Sequence, residues 1–292
     1  MKKLFFAFVV ILIFYSCDFK KSAHKDLISG LSTAGDGLSC EEISIIVNDK
    51  VEQRNTFTFG DIVAIRFSNI EGFNEQNGNV FPGMSILIRD DQNNSVLQNE
   101  DVYRDYTDGI KLSPTVLNAE MTLARPIHSG KNYNVLIKIW DKKGDGKFSA
   151  EMNFGVKPNE KISVSKNNCN YSEIYLFSEK SNRVITDNII HFGENVFLIF
   201  EGVENFIEDG DKIYPGLSLN VSDNYNESIL NSEDLFAEYS QDGIKADEFK
   251  DRVSANFWFN GSEVNNPLSL EAKLWDKKSD KFILVKTSLM LQ

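Results

Sequence analysis

The stretch Tyr133-Asn-Val-Leu-Ile-Lys-Ile-Trp140 alternates along its length. Tyr133, Val135, Ile137 and Ile139 take one face, and Lys138 and Trp140 take the other. A period of two is the pattern of a strand with one face on a core. Runs rich in β-branched and aromatic residues recur at 43–47, 62–67, 84–88, 120–124 and 148–156. A second set occupies 173–177, 195–200, 217–221, 253–259, 268–275 and 282–291. Phe59-Gly60-Asp61, Pro82-Gly83 and Gly144-Asp145-Gly146 separate the runs, and the spacing around Gly144 and Ser279 predicts a hairpin joining the last two strands of each set. Many short strands with such punctuation predict antiparallel sandwiches. Two short helices are expected, at 99–106 and 232–239, each opening on an N-cap residue with carboxylates in its first turn.

The two sets are copies. With Gly60 aligned to Gly193, about a third of roughly fifty ungapped positions are identical, which marks an internal duplication. HFGENVFLIFEGVENF matches TFGDIVAIRFSNIEGF, and SILNSEDLFAEYSQDGIKA matches SVLQNEDVYRDYTDGIKL. Trp140-Asp141-Lys142-Lys143 returns as Trp275-Asp276-Lys277-Lys278. The expected architecture is therefore all-β: two tandem modules, 40–156 and 170–292, with a linker at 157–169 rich in Gly, Pro, Ser and charge. Each module resembles an Ig-like antiparallel β-sandwich, a likeness of architecture that carries no function. The retained Pro-Gly pair fits a type II turn. Trp140 and Trp275 are expected to pack on their own sheets.

MKKLFFAFVVILIFYSC opens the chain. Lys2 and Lys3 precede an apolar run of about a dozen residues, where a membrane span needs about 20. Residues 1–16 therefore predict a signal peptide. Phe14-Tyr15-Ser16-Cys17 resembles the lipobox of bacterial lipoproteins, in which a small residue precedes a cysteine that is acylated and becomes the mature N-terminus. Ser16 and Cys17 fit that pattern, whereas Phe14 and Tyr15 depart from its usual Leu and small residue. The resemblance implies lipidation, palmitate included, at Cys17, with 17–39 as a flexible lipidated tether. It also implies a place in the cell envelope on a membrane, with the outer membrane favoured, facing the periplasm or the surface.

Composition narrows the partners. Asp and Glu number 43 against 31 Lys and Arg, a net charge of −12, so no nucleic-acid partner is expected. Cys40 and Cys169 stand just before each module. Their pairing is left open, because equivalent points on tandem domains are usually too far apart for a disulfide.

Candidate chemistry is sparse. None of the three histidines, His24, His128 and His191, is retained between copies, and no metal-binding or nucleophile motif appears. No enzymatic activity and no cofactor are expected. A calcium site is the exception worth testing: Asp90, Asp91, Asp101 and Asp105, with Asp223 and Asp234 in the second copy, would supply hard oxygen ligands if their loops converged. Trp258, between Phe257 and Phe259, faces the opposite way from both, either exposed or against a second apolar layer, and is the candidate platform for a glycan. The leading expectation is a non-enzymatic scaffold or protein-binding module with an envelope protein partner. Its rival is a ligand-binding lipoprotein for glycan or Ca²⁺.

Overall fold

The computed structural model describes residues 21–26, 29–111 and 113–292. The expected signal peptide and the lipidation residue Cys17 lie outside them. Module one contains β1 (Lys21–Lys25), β2 (Ser32–Asp36), β3 (Ser39–Val47), β4 (Lys50–Glu52), β5 (Thr56–Thr58), β6 (Ile62–Glu71), β7 (Pro82–Asp90), β8 (Ser95–Asn99), β9 (Val116–Thr122), β10 (Lys131–Asp141) and β11 (Lys147–Lys157). Module two contains β12 (Ile162–Asn167), β13 (Glu173–Ser178), β14 (Arg183–Ile185), β15 (Ile189–Ile190), β16 (Val196–Glu201), β17 (Lys212–Ile213), β18 (Pro215–Ser222), β19 (Ser228–Ser232), β20 (Ile244–Lys245), helix α1 (Ala246–Asp251), β21 (Arg252–Phe257), β22 (Leu268–Asp276) and β23 (Phe282–Leu291).

Both modules are Ig-like sandwiches that share the order of their main strands, with β1 an added outer strand in module one and the small pair β17-β20 added in module two. In module one the sheet β4-β3-β6-β9 faces a second sheet ordered β1-β2-β11-β10-β7-β8, with β5 lying parallel to β11. In module two β14-β13-β16-β21 faces β12-β23-β22-β18-β19, with β15 parallel to β23. The duplication is thus written in strand order as well as in sequence. Alternation does the folding: Tyr133, Val135, Ile137 and Ile139 of β10 are all buried, while Lys138 is exposed. In β22 the buried set is Leu268, Leu270, Ala272 and Leu274. Facing side chains of the two sheets close one core per module, and its burial is the main force holding each sandwich together.

Four expectations change. The segment 157–169 is a linker only at 158–161. β11 runs to Lys157, and β12 adds to β23 in the register Ile162↔Thr287 to Asn167↔Phe282. An edge strand needs an apolar residue on one face alone, and Ile162 and Val164 supply it. Within the expected tether, β1 and β2 likewise enter the fold, because β2 pairs with both β1 and β11. The two predicted helices do not form over their predicted spans: 99–106 is a series of turns, and in 232–239 only a 3₁₀ turn at Ala237–Ser240 appears. Asp101 accepts from the N–H of Met84 in β7 and of Tyr103 in the loop, and Asp234 from Leu217 in β18 and Phe236 in the loop, which competes with helix formation. The helix that does form, α1, buries Phe249. Finally, Pro82-Gly83 and Pro215-Gly216 are not turns but the first residues of β7 and β18.

Candidate functional site

The retained tetrapeptide organises one end of each sandwich. Trp140 is the cross-strand partner of Gly83, and Trp275 of Gly216. A Cβ on either glycine would lie 2.1 Å from the indole. The buried Asp141 accepts hydrogen bonds from the N–H of Asn74 at 2.7 Å and Lys143 at 2.9 Å. Asp276 accepts from the N–H of Ile207 at 2.9 Å and Lys278 at 3.0 Å. Lys142 pairs with Asp101 at 2.7 Å and Lys277 with Asp234 at 2.7 Å. Lys143 lies over the Phe81 ring at 5.0 Å and Lys278 over Tyr214 at 3.7 Å. Every member of the motif is engaged in the fold.

The calcium candidates do not converge. Asp101 accepts from the N–H of Met84 near the start of β7 at 3.1 Å, whereas Asp90 ends that strand. Six residues of strand separate those points by about 20 Å. Asp234, bonded to the N–H of Leu217, and Asp223 stand in the same relation at the two ends of β18. Asp90 closes a turn by accepting from the N–H of Asn94 at 2.8 Å and Gln92 at 3.0 Å. Asp223 does so with Tyr225 and Glu227, both at 2.9 Å. The Asn94 side chain holds Asp90 below the usual carboxylate range, and Asn265 does the same for Asp223. Burial pushes Asp101 and Asp234 up, but the ammonium groups of Lys142 and Lys277 with the backbone N–H donors leave both lowered. Asp91 and Asp105 are exposed. Among the described residues no group of three or more His, Cys, Asp or Glu is placed to share a metal ion.

The modules are joined by a buried junction that the alternation rule contains but does not announce. Glu173, Tyr175 and Phe177 of β13 and Phe197, Ile199 and Glu201 of β16 point away from the core of module two. In module one the register equivalents on β6 are Ala64, Arg66 and Ser68, an ordinary solvated face. The strands Glu173–Ser178 and Val196–Glu201 are apolar on both faces, the signature of a sheet covered twice. The cover is one end of module one. Tyr175 and Ile199 are buried with the core of module one, and Phe177, Val184 and Phe197 pack against it. Phe59 meets Tyr175 with ring centroids 5.2 Å apart. Val184 fills the space beside Gly60, where a Cβ would come within 2.3 Å of it.

Polar groups frame this apolar contact. Glu173 and Glu201 are cross-strand partners, both buried. Glu173 accepts from the N–H of Ser129 at 2.6 Å and from its hydroxyl at 2.9 Å. Glu201 accepts from the Tyr175 hydroxyl at 2.7 Å and from Arg252 at 3.1 Å. His128 Nδ1 sits 3.6 Å from Glu173, and neither that nitrogen nor Glu201 Oε2 has a hydrogen-bond partner among the described residues. Burial pushes Glu173 up, with Glu201 adding to it; burial lowers His128. Arg125 donates twice to Asp251 across the junction, at 3.0 Å each. The linker is held as well: buried Asn159 donates to the Thr186 carbonyl and to Asn188, and Asn188 donates to Thr287 at 2.6 Å.

Two further surfaces remain. Trp258 is 54% exposed, which decides between the two positions its alternation left open. Gly60 donates its N–H to the Leu123 carbonyl and Gly193 donates to that of Phe259, so Thr122 is the module-one counterpart of Trp258. A separate cleft is lined by Phe192, Ser262, Glu263, Asn265 and Gln292. The other surface is the pair of outer sheet edges formed by β8 and β19. The thiols of Cys40 and Cys169 are free. Burial raises Cys40 to about 11 and also raises Cys169.

No family model and no curated protein matches the chain. Solved structures give loose likenesses. The fibronectin(III)-like modules of Clostridium thermocellum CbhA are 11% identical, with 85% of this chain and 94% of that chain covered at a TM-score of 0.20. Drosophila OTK extracellular domains 3–5 are 10% identical, with 87% and 97% covered at 0.22. A structure named pT26-6p is 10% identical, with 90% and 64% covered at 0.26. Scores this low carry no argument about function.

Proposed function

We propose that this chain is a lipid-anchored protein of the bacterial cell envelope, with the outer membrane favoured, which acts without catalysis as a two-module scaffold for other proteins. The Ig-like fold is compatible with protein binding. The observation that carries the reading is the junction itself. One sandwich already recognises another through an apolar sheet face, a central aromatic pair and a polar rim, which is the anatomy of a protein–protein interface. The scaffold it makes is a docked pair rather than two beads on a string. The lipobox-like FYSC supports the anchor at Cys17, and β2 would carry the fold from the membrane side. Replacing Cys17 by Ala is expected to abolish acyl labelling and release the protein from membranes; retention in the membrane fraction contradicts the anchor. Capture of a stoichiometric protein partner tests the scaffold reading. Glycan binding is a second reading, favoured by the exposed indole of Trp258.

A further inference from the structure

We infer that the outer edges of β8 and β19 are docking strands, each taking an extended segment of a partner protein whose ends carry lysine or arginine. This inference rests on the protein-binding reading above and names the surface and the chemistry of its partner.

A sheet edge presents unpaired backbone donors and acceptors, and proteins commonly blunt such edges with charge or proline. In this chain the outermost strands of the four large sheets are β1, β4, β8, β9, β12, β14, β19 and β21. Lys21, Lys50, Glu120, Lys166, Arg183 and Arg252 place charge on six of them. β8, Ser-Val-Leu-Gln-Asn, and β19, Ser-Ile-Leu-Asn-Ser, carry no ionisable residue and no proline. They are the same strand in the two copies, so the unguarded edge has survived duplication and divergence. Among the described residues each pairs on one side only, with β7 or β18. Ile229 of β19 is 39% exposed. The position is pinned from beneath: Asp101 and Asp234 tie the loop after each strand to the start of its neighbour.

The flanks select the partner. Exposed Asp91 and Glu100 stand just before and after β8, and exposed Glu227 and Glu233 bracket β19. Arg89, opposite Ser95, is the one cation in register with β8, and β18 has none opposite β19. Two such edges from two copies would bring acidic ends together, which disfavours self-pairing. An extended segment with basic ends would gain main-chain hydrogen bonds along the edge and favourable charge at both ends.

The test uses the intact soluble chain and a synthetic nonapeptide of alternating threonine and valine flanked by paired lysines. A peptide flanked by paired glutamates is the control. Amide hydrogen exchange is expected to slow at 95–99 and 228–232 with the lysine peptide and not with the glutamate peptide. Affinity for the lysine peptide should fall about tenfold between low and high salt as the flanking charges are screened. Gln98→Lys with Asn231→Lys places on both edges the cation that other edges carry, and should weaken binding about tenfold with the melting temperature unchanged. Protection on another surface would overturn the edge assignment while leaving protein binding intact. No protection at millimolar peptide, or equal protection by both peptides, would also overturn it. Loss of the protein-binding reading itself would show separately, as failure to recover any partner from intact envelopes.

Discussion

Trp140 packs its indole on Gly83, its cross-strand partner, in the space a Cβ would occupy. Trp275 and Gly216 repeat the pair. The glycine is therefore required by the ring across the sheet, not by a turn. Gly83→Ala or Gly216→Ala is expected to destabilise its module by about 1–3 kcal/mol, the usual cost of overpacking. Pairing the change with Trp140→Ala should recover part of the loss, because the clash is then gone. Urea unfolding of the single and double variants checks this; additive losses would contradict the pairing.

The junction makes an opposite kind of prediction. Val184 packs beside Gly60 and against the core of module one, so Val184→Arg should force the modules apart while leaving each core intact. Expected results are a larger radius of gyration in solution scattering and two separable unfolding transitions. A variant with unchanged dimensions would show that the contact does not hold the modules together.

pH dependence follows from Glu173. Its pKa is raised in the folded protein, by burial first and by Glu201 second. A raised carboxyl adds stability below its unfolded value, about 4.3, and loses it as pH rises through the folded value. Ionising Glu173 therefore costs the junction stability. His128, lowered by burial, acts in the other direction: its contribution is present above about 6.5 and lost as pH falls through its folded value. Glu173→Gln retains an acceptor for the Ser129 N–H and gains a donor for its hydroxyl. It should raise the melting temperature at pH 7 and shrink the fall in stability between pH 5 and 7. A lower melting temperature at pH 7 would contradict this.

Trp258→Ala tests the glycan reading. Little change in stability is expected, within about 0.5 kcal/mol for an exposed side chain. Titration of the soluble chain with envelope polysaccharide fragments should show saturable binding that the substitution removes. Binding unaffected by the substitution would place any glycan site elsewhere.

Much of the fold is legible from period-two alternation, because burying one face of each strand leaves its mark residue by residue. The repeat predicts that the same topology occurs twice. Short edge strands such as Ser95–Asn99 escape, since a polar strand on a sheet margin has little apolar signature. Gly83 was legible as retained but not as the seat of Trp140, because its partner lies 57 positions away and only register joins them. The junction left a readable sign in Tyr175, Phe197 and Ile199, apolar where module one has Ser44, Ala64 and Arg66. The acidic residues misled in the other direction. Asp90 and Asp101 are close in sequence but sit at opposite ends of β7, each engaged in a turn.

The scaffold reading stands or falls on a partner. The direct measurement is crosslinking of the tagged, lipidated full chain in intact envelopes, followed by affinity capture and mass spectrometry. One protein recovered near stoichiometry, and lost when Gln98 and Asn231 are both changed to Lys, is the predicted result. Recovery of no protein above the level seen with an unrelated lipoprotein would contradict a scaffold role.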